Sequence, residues 1–174
     1  MFEKLVNINC HSKNKLLRQI AENLLEKFYC CEIHCSEMDK SVLFAHHARG
    51  CTIAAAKICS NVVIYQNVTI GSNMKYNKVS KEWENVGSPI IDENVVVGDG
   101  AKILGPILIG KNSVIAAGAI ITKDIPENSV AYGVNHFRPK DKDYDLIYNP
   151  DMIDFKKIIE ADNKFKTKFK ESNL

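Results

Sequence analysis

Residues 91–121, IDENVVVGDGAKILGPILIGKNSVIAAGAII, repeat in sixes. Ile91, Val97, Ile103, Ile109, Ile115 and Ile121 hold one position of the repeat, and the next position is small or turn-forming at Asp92, Gly98, Gly110, Ala116 and Thr122, with Leu104 the exception. Ile, Leu and Val make up about a quarter of the chain, so six aliphatics in a row at that spacing arise by chance on the order of once in four thousand. A helix repeats at 3.6 residues and a strand at two, and neither produces six. A chain that makes a short strand, turns a corner and begins again does: each aliphatic points inward and the small residue after it lets the backbone bend. The pattern predicts a parallel β-helix.

The same spacing runs back through Ile58, Ile64 and Ile70 in ICSNVVIYQNVTIG. Between Ile70 and Ile91 it is lost across GSNMKYNKVSKEWENVGSP, a polar segment holding the chain's one tryptophan, Trp83. This predicts a loop over residues 71–90, thrown out between two blocks of scaffold, where long loops tend to carry function. Ile53 precedes Ile58 by five residues instead of six, which predicts a corner one residue short.

The ends differ from the middle. Residues 12–29 predict a helix, with Ser12 as N-cap and Leu16, Ile20, Leu24 and Phe28 as an i, i+4 stripe that covers the open first coil. From Ile33 the chain turns β-helical, at first irregularly through EIHCSEMDKSVLFAHHARGCTI, and after Ile121 it winds down through a Pro-containing turn. Asn149-Pro150-Asp151 predicts the start of a last helix, with Met152, Phe155, Ile159, Phe165 and Phe169 on its apolar side. The expected organisation is an N-terminal helical cap over 1–31, a β-helix over 32–140 and a helical tail over 141–174. The fold class is mainly β.

Composition narrows the function. With 174 residues and a net charge of +2, this is one domain with no global attraction to nucleic acid. No apolar run approaches the roughly 18 residues of a membrane span, and MFEKLVNINC lacks the apolar core of a signal peptide, so a cytoplasmic protein is expected. Cys10, Cys30, Cys31, Cys35, Cys51 and Cys59 are expected to be reduced. Cys31, His34 and Cys35 could be imagined as metal ligands, but no second Cys/His pair stands at a matching spacing, and no metal is expected.

A core of isoleucines does no chemistry, so a site must come from the irregular coils and the loop. Three of the five histidines, His34, His46 and His47, cluster in the irregular region, apart from His11 and His136. Histidine is the usual general base near neutral pH, and a carboxylate beside it fixes its tautomer. Glu32 precedes His47 by slightly less than a coil of about eighteen residues, which would bring it near His47 on the neighbouring coil. The competing view is that these histidines merely line a polar edge.

The six-residue repeat, with IYQNVTIG, the run VVVGDGAKILGPILIGKNSVIAAGAIITKDIP and the later YGV, resembles the hexapeptide-repeat acyltransferases. The similarity covers roughly residues 32–140 and is closest to the serine acetyltransferase branch with its capsule- and lipopolysaccharide-linked relatives. It implies a left-handed β-helix, a homotrimer, and transfer of an acetyl group from acetyl-CoA to a hydroxyl. His46-His47-Ala48-Arg49-Gly50 matches the family's Asp-His-Ala-Thr-Gly run, which gives His47 the catalytic role. Glu32-Ile33-His34-Cys35 matches an Asp-Ile-His-Pro run, which gives Glu32 the role of orienting carboxylate. For the cofactor, the resemblance points to Gly100, Ala117 and Gly118 along the pantetheine arm, with Lys123 and Arg138 at phosphates.

The departures concern the acceptor. The family's aspartate before the catalytic histidine is His46, and its Arg-His-Pro, whose arginine holds the acceptor carboxylate, aligns with Gly87-Ser88-Pro89. Glycine cannot replace a bidentate arginine clamp. The long N-terminal helical domain of serine acetyltransferases has no counterpart in residues 1–31. The expectation is therefore an O-acetyltransferase whose small-molecule acceptor is a sugar of surface-polysaccharide synthesis, with substrate contacts from His46, His34, Trp83 and Ser88. Serine acetylation is the alternative, and a non-catalytic scaffold the alternative of another class. In the loop, Trp83 suits the apolar face of a sugar, or else packs on a neighbouring subunit.

Overall fold

A computed structural model describes residues 1–35, 37–143, 160, 162–164 and 166. Its body is a parallel β-helix of triangular cross-section, the left-handed hexapeptide-repeat form. Three columns of short parallel strands make the faces. The first holds β1 (Glu32–His34), β3 (Thr52–Ala54), β6 (Thr69–Gly71), β11 (Lys102–Leu104) and β14 (Ile120–Ile121). The second holds β4 (Lys57–Ile58), β9 (Ile90–Ile91) and β12 (Leu108–Ile109). The third holds β2 (Leu43–Phe44), β5 (Val63–Ile64), β10 (Val96–Val97), β13 (Val114–Ile115) and β15 (Ser129–Tyr132), with β16 (His136–Pro139) antiparallel on its edge.

The repeat sets the register. Ile103 pairs with Ile121, Val97 with Ile115 and Ile91 with Ile109, each one full coil apart. The nine aliphatics picked out by the spacing of six all point inward, and none is more than 1% exposed. At about 1.5–3 kcal/mol for each fully buried branched side chain, this column is the main source of stability. The corners solve the remaining backbone problem. Asn61, Asn94, Asn112 and Asn128 turn one corner with φ of 54° to 56°, a left-handed geometry that asparagine tolerates. Their amides hydrogen-bond in series, Asn61 to Asn94, Asn94 to Asn112 and Asn112 to Asn128, at 3.0–3.2 Å.

The short corner after Ile53 is present: Ile53 pairs with Ile70 seventeen positions on, while Glu32 pairs with Thr52 across a first coil of twenty. The interrupting segment is an antiparallel hairpin, β7 (Met74–Asn77) and β8 (Glu82–Asn85), with Tyr76 opposite Trp83.

The N-terminal cap differs from the expectation. Two helices build it, α1 (Phe2–His11) and α2 (Lys15–Tyr29). Asn14, not Ser12, caps α2, its side-chain oxygen accepting from the Leu16 and Leu17 amides at 2.9 and 3.3 Å. The i, i+4 stripe does not cover the first coil: Leu16, Ile20 and Phe28 are 68%, 47% and 59% exposed, and α2 buries Ala21 and Leu25 instead. The physical reason is α1, which joins the cap through Phe2, Val6 and Cys10 and donates from Asn9 Nδ2 to the Ile33 carbonyl at 2.7 Å. The apolar face expected for the final helix, Met152, Phe155, Ile159, Phe165 and Phe169, lies outside the described residues.

Candidate active site

The corner that leads from the third face to the first begins with an unusual turn. His46, His47 and Ala48 have φ of 53°, 58° and 52°, three successive non-glycine residues in the left-handed region. Each costs on the order of 1–2 kcal/mol, so the surroundings must impose the conformation. Ala45 and Ala48 are buried, which fixes both ends. The Cys51 amide donates to the Ala48 carbonyl at 3.0 Å, the Gly50 amide to Cys30 at 3.0 Å, and the Asn67 amide to Arg49 at 2.8 Å. Gly50 has φ of 70°, a left-handed value that glycine adopts at no steric cost, and a Cβ there would meet the Asn67 side chain. The turn throws both imidazoles outward. The His47 ring lies 5.5 Å from Phe2 and 5.8 Å from Tyr29, and the His46 ring 6.4 Å from Tyr65.

Glu32 and His34 point outward from β1 on the adjoining face. Among the described residues, no hydrogen bond or ion pair joins Glu32 to His47, and His34 Nε2 lies 3.7 Å from Glu22 Oε1 of α2. The first coil has twenty residues. It stacks Glu32 on Thr52, five positions past His47, and brings the ends of the two helices against the His47 ring.

Below the histidines the same corner descends through Gln66 and Asn67, Asp99 and Gly100, then Ala117 and Gly118. The Gly100 amide donates to Gln66 at 3.1 Å, and the Gly118 amide to Asp99 at 2.7 Å. Asn67 Nδ2 donates to Asp99 Oδ1 at 3.1 Å, and Lys102 Nζ reaches back to Thr69 Oγ1 at 3.0 Å. Gly100 and Gly118 have φ of 69° and 68°, and a Cβ on Gly118 would meet nothing within 4 Å. At these two glycines the column is bare backbone, and beside Gly118 it faces open space against which an extended ligand can lie.

The remaining candidates sit elsewhere. Trp83, 67% exposed, packs edge-on to Tyr76 at 5.5 Å in the hairpin, which leaves the corner between the first and second faces. At the hairpin's foot Asn73 and Gly87 are hydrogen-bonded, and Ser88 follows them. Lys123 lines a cleft of about 620 Å³ at that corner, with Ser72, Asn73, Lys75, Leu104 and Pro106. Arg138 is exposed on β16, opposite Val130. One chain thus places His46, His47, Gly100, Ala117 and Gly118 on one edge of the prism, and Trp83, Ser88 and Lys123 on another.

The cysteines lie apart from this chemistry. Burial pushes the Cys10 and Cys31 thiols up to about 12 and raises those of Cys35 and Cys51, so these are neutral packing groups. All six are unpaired. Among the described residues, no three His, Cys, Asp or Glu side chains are placed to hold a metal ion, and no helix is long and apolar enough to cross a membrane. Sequence reading missed Gln66, Asn67, Asp99 and Phe2 at this site. For Gln66, Asn67 and Asp99 the only signal was position at a corner, which spacing alone does not interpret, and Phe2 of α1 gave none.

Residues 88–123 match the family model for bacterial transferase hexapeptides, six repeats. The chain is 34% identical over 122 residues to a serine acetyltransferase of Mycobacterium tuberculosis, covering 69% of this chain and 50% of that one. It is 35% identical over 103 residues to one of Helicobacter pylori, covering 59% and 56%. Among solved structures it resembles soybean serine acetyltransferase complexed with serine, with a TM-score of 0.59, 28% identity and coverage of 79% and 52%. It also resembles a serine acetyltransferase in complex with CoA, with a TM-score of 0.53, 27% identity and coverage of 76% and 49%. The chain spans about half the length of these relatives. Through its repeats the chain belongs to the hexapeptide-repeat transferase family, on the serine acetyltransferase-like branch.

Proposed function

We propose that this protein is an acetyl-CoA-dependent O-acetyltransferase and that serine is its acceptor. The observation that carries the reading is the strained turn that presents His47, a histidine able to act as base, at the head of a backbone column open to an extended ligand. The serine acetyltransferases among the relatives named above support serine as the acceptor. Acetyl-CoA supplies the acyl group, its pantetheine arm lying along Gly100, Ala117 and Gly118. His47 takes the hydroxyl proton as the oxygen attacks the thioester carbonyl, and returns it to the departing thiolate, with no acyl-enzyme. Phe2 and Tyr29 hold the ring, and Glu32 serves through a side-chain rotation or a bridging water. The unpaired cysteines fit the cytoplasm.

The working form is a homotrimer. Ile90, Leu104, Leu108 and Ile120, each 36–46% exposed, flank the hairpin corner on the first and second faces. Closed symmetry is the usual cover for such apolar rows. A neighbouring copy would then bring its hairpin corner, with Trp83, Ser88 and Lys123, to the His47 corner.

A specific observation favours a second acceptor class. Gly87-Ser88-Pro89 supplies no cation where the resemblance places a carboxylate-binding arginine, and the hairpin exposes Tyr76 and Trp83. That arrangement suits a neutral sugar. Thiol release from acetyl-CoA, measured with serine and with a panel of sugars and nucleotide-sugars, separates the two. Turnover with serine supports the first reading and turnover with sugars alone the second. Failure to bind CoA at all would leave only a scaffold.

A further inference from the structure

Gln66 stands at the third-to-first corner, one coil below the histidine turn. Its backbone is committed: the carbonyl accepts from the Gly100 amide at 3.1 Å, and the neighbouring Asn67 amide donates to Arg49. Its side chain is not. Gln66 Oε1 is the one side-chain oxygen or nitrogen among the described residues that is buried with no hydrogen-bond partner. A sealed, unpaired amide oxygen is costly, of the kind that native structures rarely tolerate without a reason. No hydrogen bond among the described residues holds the carboxamide, and its last torsion is broad, so either end can turn toward the corner.

Its position says what could satisfy it. The corner column runs from His47 through Gln66 and Gly100 to Gly118, and coils of a parallel β-helix repeat at about 4.8 Å. A ligand whose reacting carbonyl lies at His47 and whose body extends toward Gly118 passes Gln66 within its first several ångströms. In a pantetheine thioester, the group at that distance from the sulfur is an amide, and its N–H requires an acceptor. We propose that Gln66 Oε1 accepts a hydrogen bond from the pantetheine amide nearest the thioester, and so fixes the acyl group relative to His47. This rests on the acetyl-CoA reading above. It adds a binding and positioning residue that neither the repeat nor the histidine turn identifies.

The test is Gln66→Met, which keeps side-chain length and removes the polar atoms. Calorimetric titrations of wild type and variant use CoA and, separately, adenosine 3′,5′-diphosphate, which lacks the pantetheine arm. The proposal expects the variant to bind CoA about three- to tenfold more weakly and the diphosphate equally well. It also expects the free variant to melt at the same temperature as wild type or higher, because an unsatisfied polar group has been removed. Equal loss for both ligands would mean general loosening of the corner and overturn it. Unchanged CoA affinity with a raised acceptor KM would overturn it too, by assigning Gln66 to the acceptor. A lower melting temperature together with unchanged CoA affinity would show that the oxygen is satisfied by water and only structural. If wild type itself does not bind CoA, the underlying reading fails instead, and the two failures cannot be confused.

Discussion

Gly98 follows the inward Val97 at a corner, and its hydrogen atom is a packing requirement. A Cβ at this position would lie 2.7 Å from the Ala117 nitrogen and 3.0 Å from the Ile115 carbonyl oxygen, both on the next coil. Ordinary contact begins near 3.5 Å, so Gly98→Ala must push adjacent backbone apart by several tenths of an ångström. The obstacles are main-chain atoms within a sheet and cannot swing aside. Overpacking of this kind costs about 1–3 kcal/mol. Weakening the 2.8 Å bond from the Gly98 amide to Ile115 adds about 1 kcal/mol, while the smaller unfolded-state entropy of alanine returns about 0.4–1 kcal/mol. The net loss is about 1–3.6 kcal/mol, a fall in Tm of about 2–14 °C for a chain of this size. The displaced residues include Ala117, beside Gly118, so CoA affinity should fall with it. Gly71→Ala is the control: its Cβ meets only the flexible end of Leu104, at 3.3 Å, and its Tm should stay within about 2 °C. Thermal unfolding by circular dichroism reads both. Equal behaviour of the two variants would refute the steric argument, whichever direction they moved.

His47→Ala should lower kcat by about 10²–10⁴ while CoA affinity, measured by calorimetry, changes little; a dead His46→Ala beside an active His47→Ala would move the catalytic assignment by one residue. Trp83→Ala should raise the acceptor KM with trimer mass by light scattering unchanged; an unaltered KM with a weakened trimer would make the hairpin an interface device. Thiol labelling of the native protein at pH 8 should modify exposed Cys30 first and leave Cys10 and Cys31 untouched. Those two thiols ionise near 9.0 when unfolded and near 12 when folded, so the stability that their burial contributes is full below pH 9 and is lost as pH rises toward 12. A denaturation midpoint that stays flat from about pH 8.5 to 10.5 would contradict this.

The regular coils were legible because one physical rule governs them. Every sixth residue must fill the interior, and a single inward aliphatic per strand satisfies it, so spacing alone located the nine core residues from Ile58 to Ile121. Even the missing residue after Ile53 could be read as a short corner, since the rule fixes what its breach means. The cap was not legible for the opposite reason. The stripe of Leu16, Ile20, Leu24 and Phe28 is a sound amphipathic signal, but which face of a helix is buried depends on its neighbours. Phe2, Val6 and Cys10 of α1 joined the cap through contacts that no local pattern encodes. The hairpin was readable only as an interruption, because its strands are exposed along their length and carry no burial pattern.

For the candidate site the sequence offered residues and left their arrangement open. Counting coils of about eighteen residues sets Glu32 near His47, but that count belongs to the regular turns. The first coil has twenty, Glu32 meets Thr52, and the groups that pack the His47 ring are Phe2 and Tyr29. The first coil is two residues longer than that count, the His47 ring lies against two aromatic rings, and Glu32 stands on the adjoining face. The same coil arithmetic puts His47 and Gly118 on one corner and Trp83 and Lys123 on another. A prism's corners run parallel to its axis and face away from one another, and no side-chain rotation brings two of them together. If both sets of residues act on one substrate, they must come from different copies of the chain. Mixing a His47→Ala protein with a Trp83→Ala protein under conditions that exchange subunits should then restore activity, since some shared sites would inherit both native corners. Activity no higher than that of the unmixed variants would confine the site to a single corner and leave the hairpin outside it.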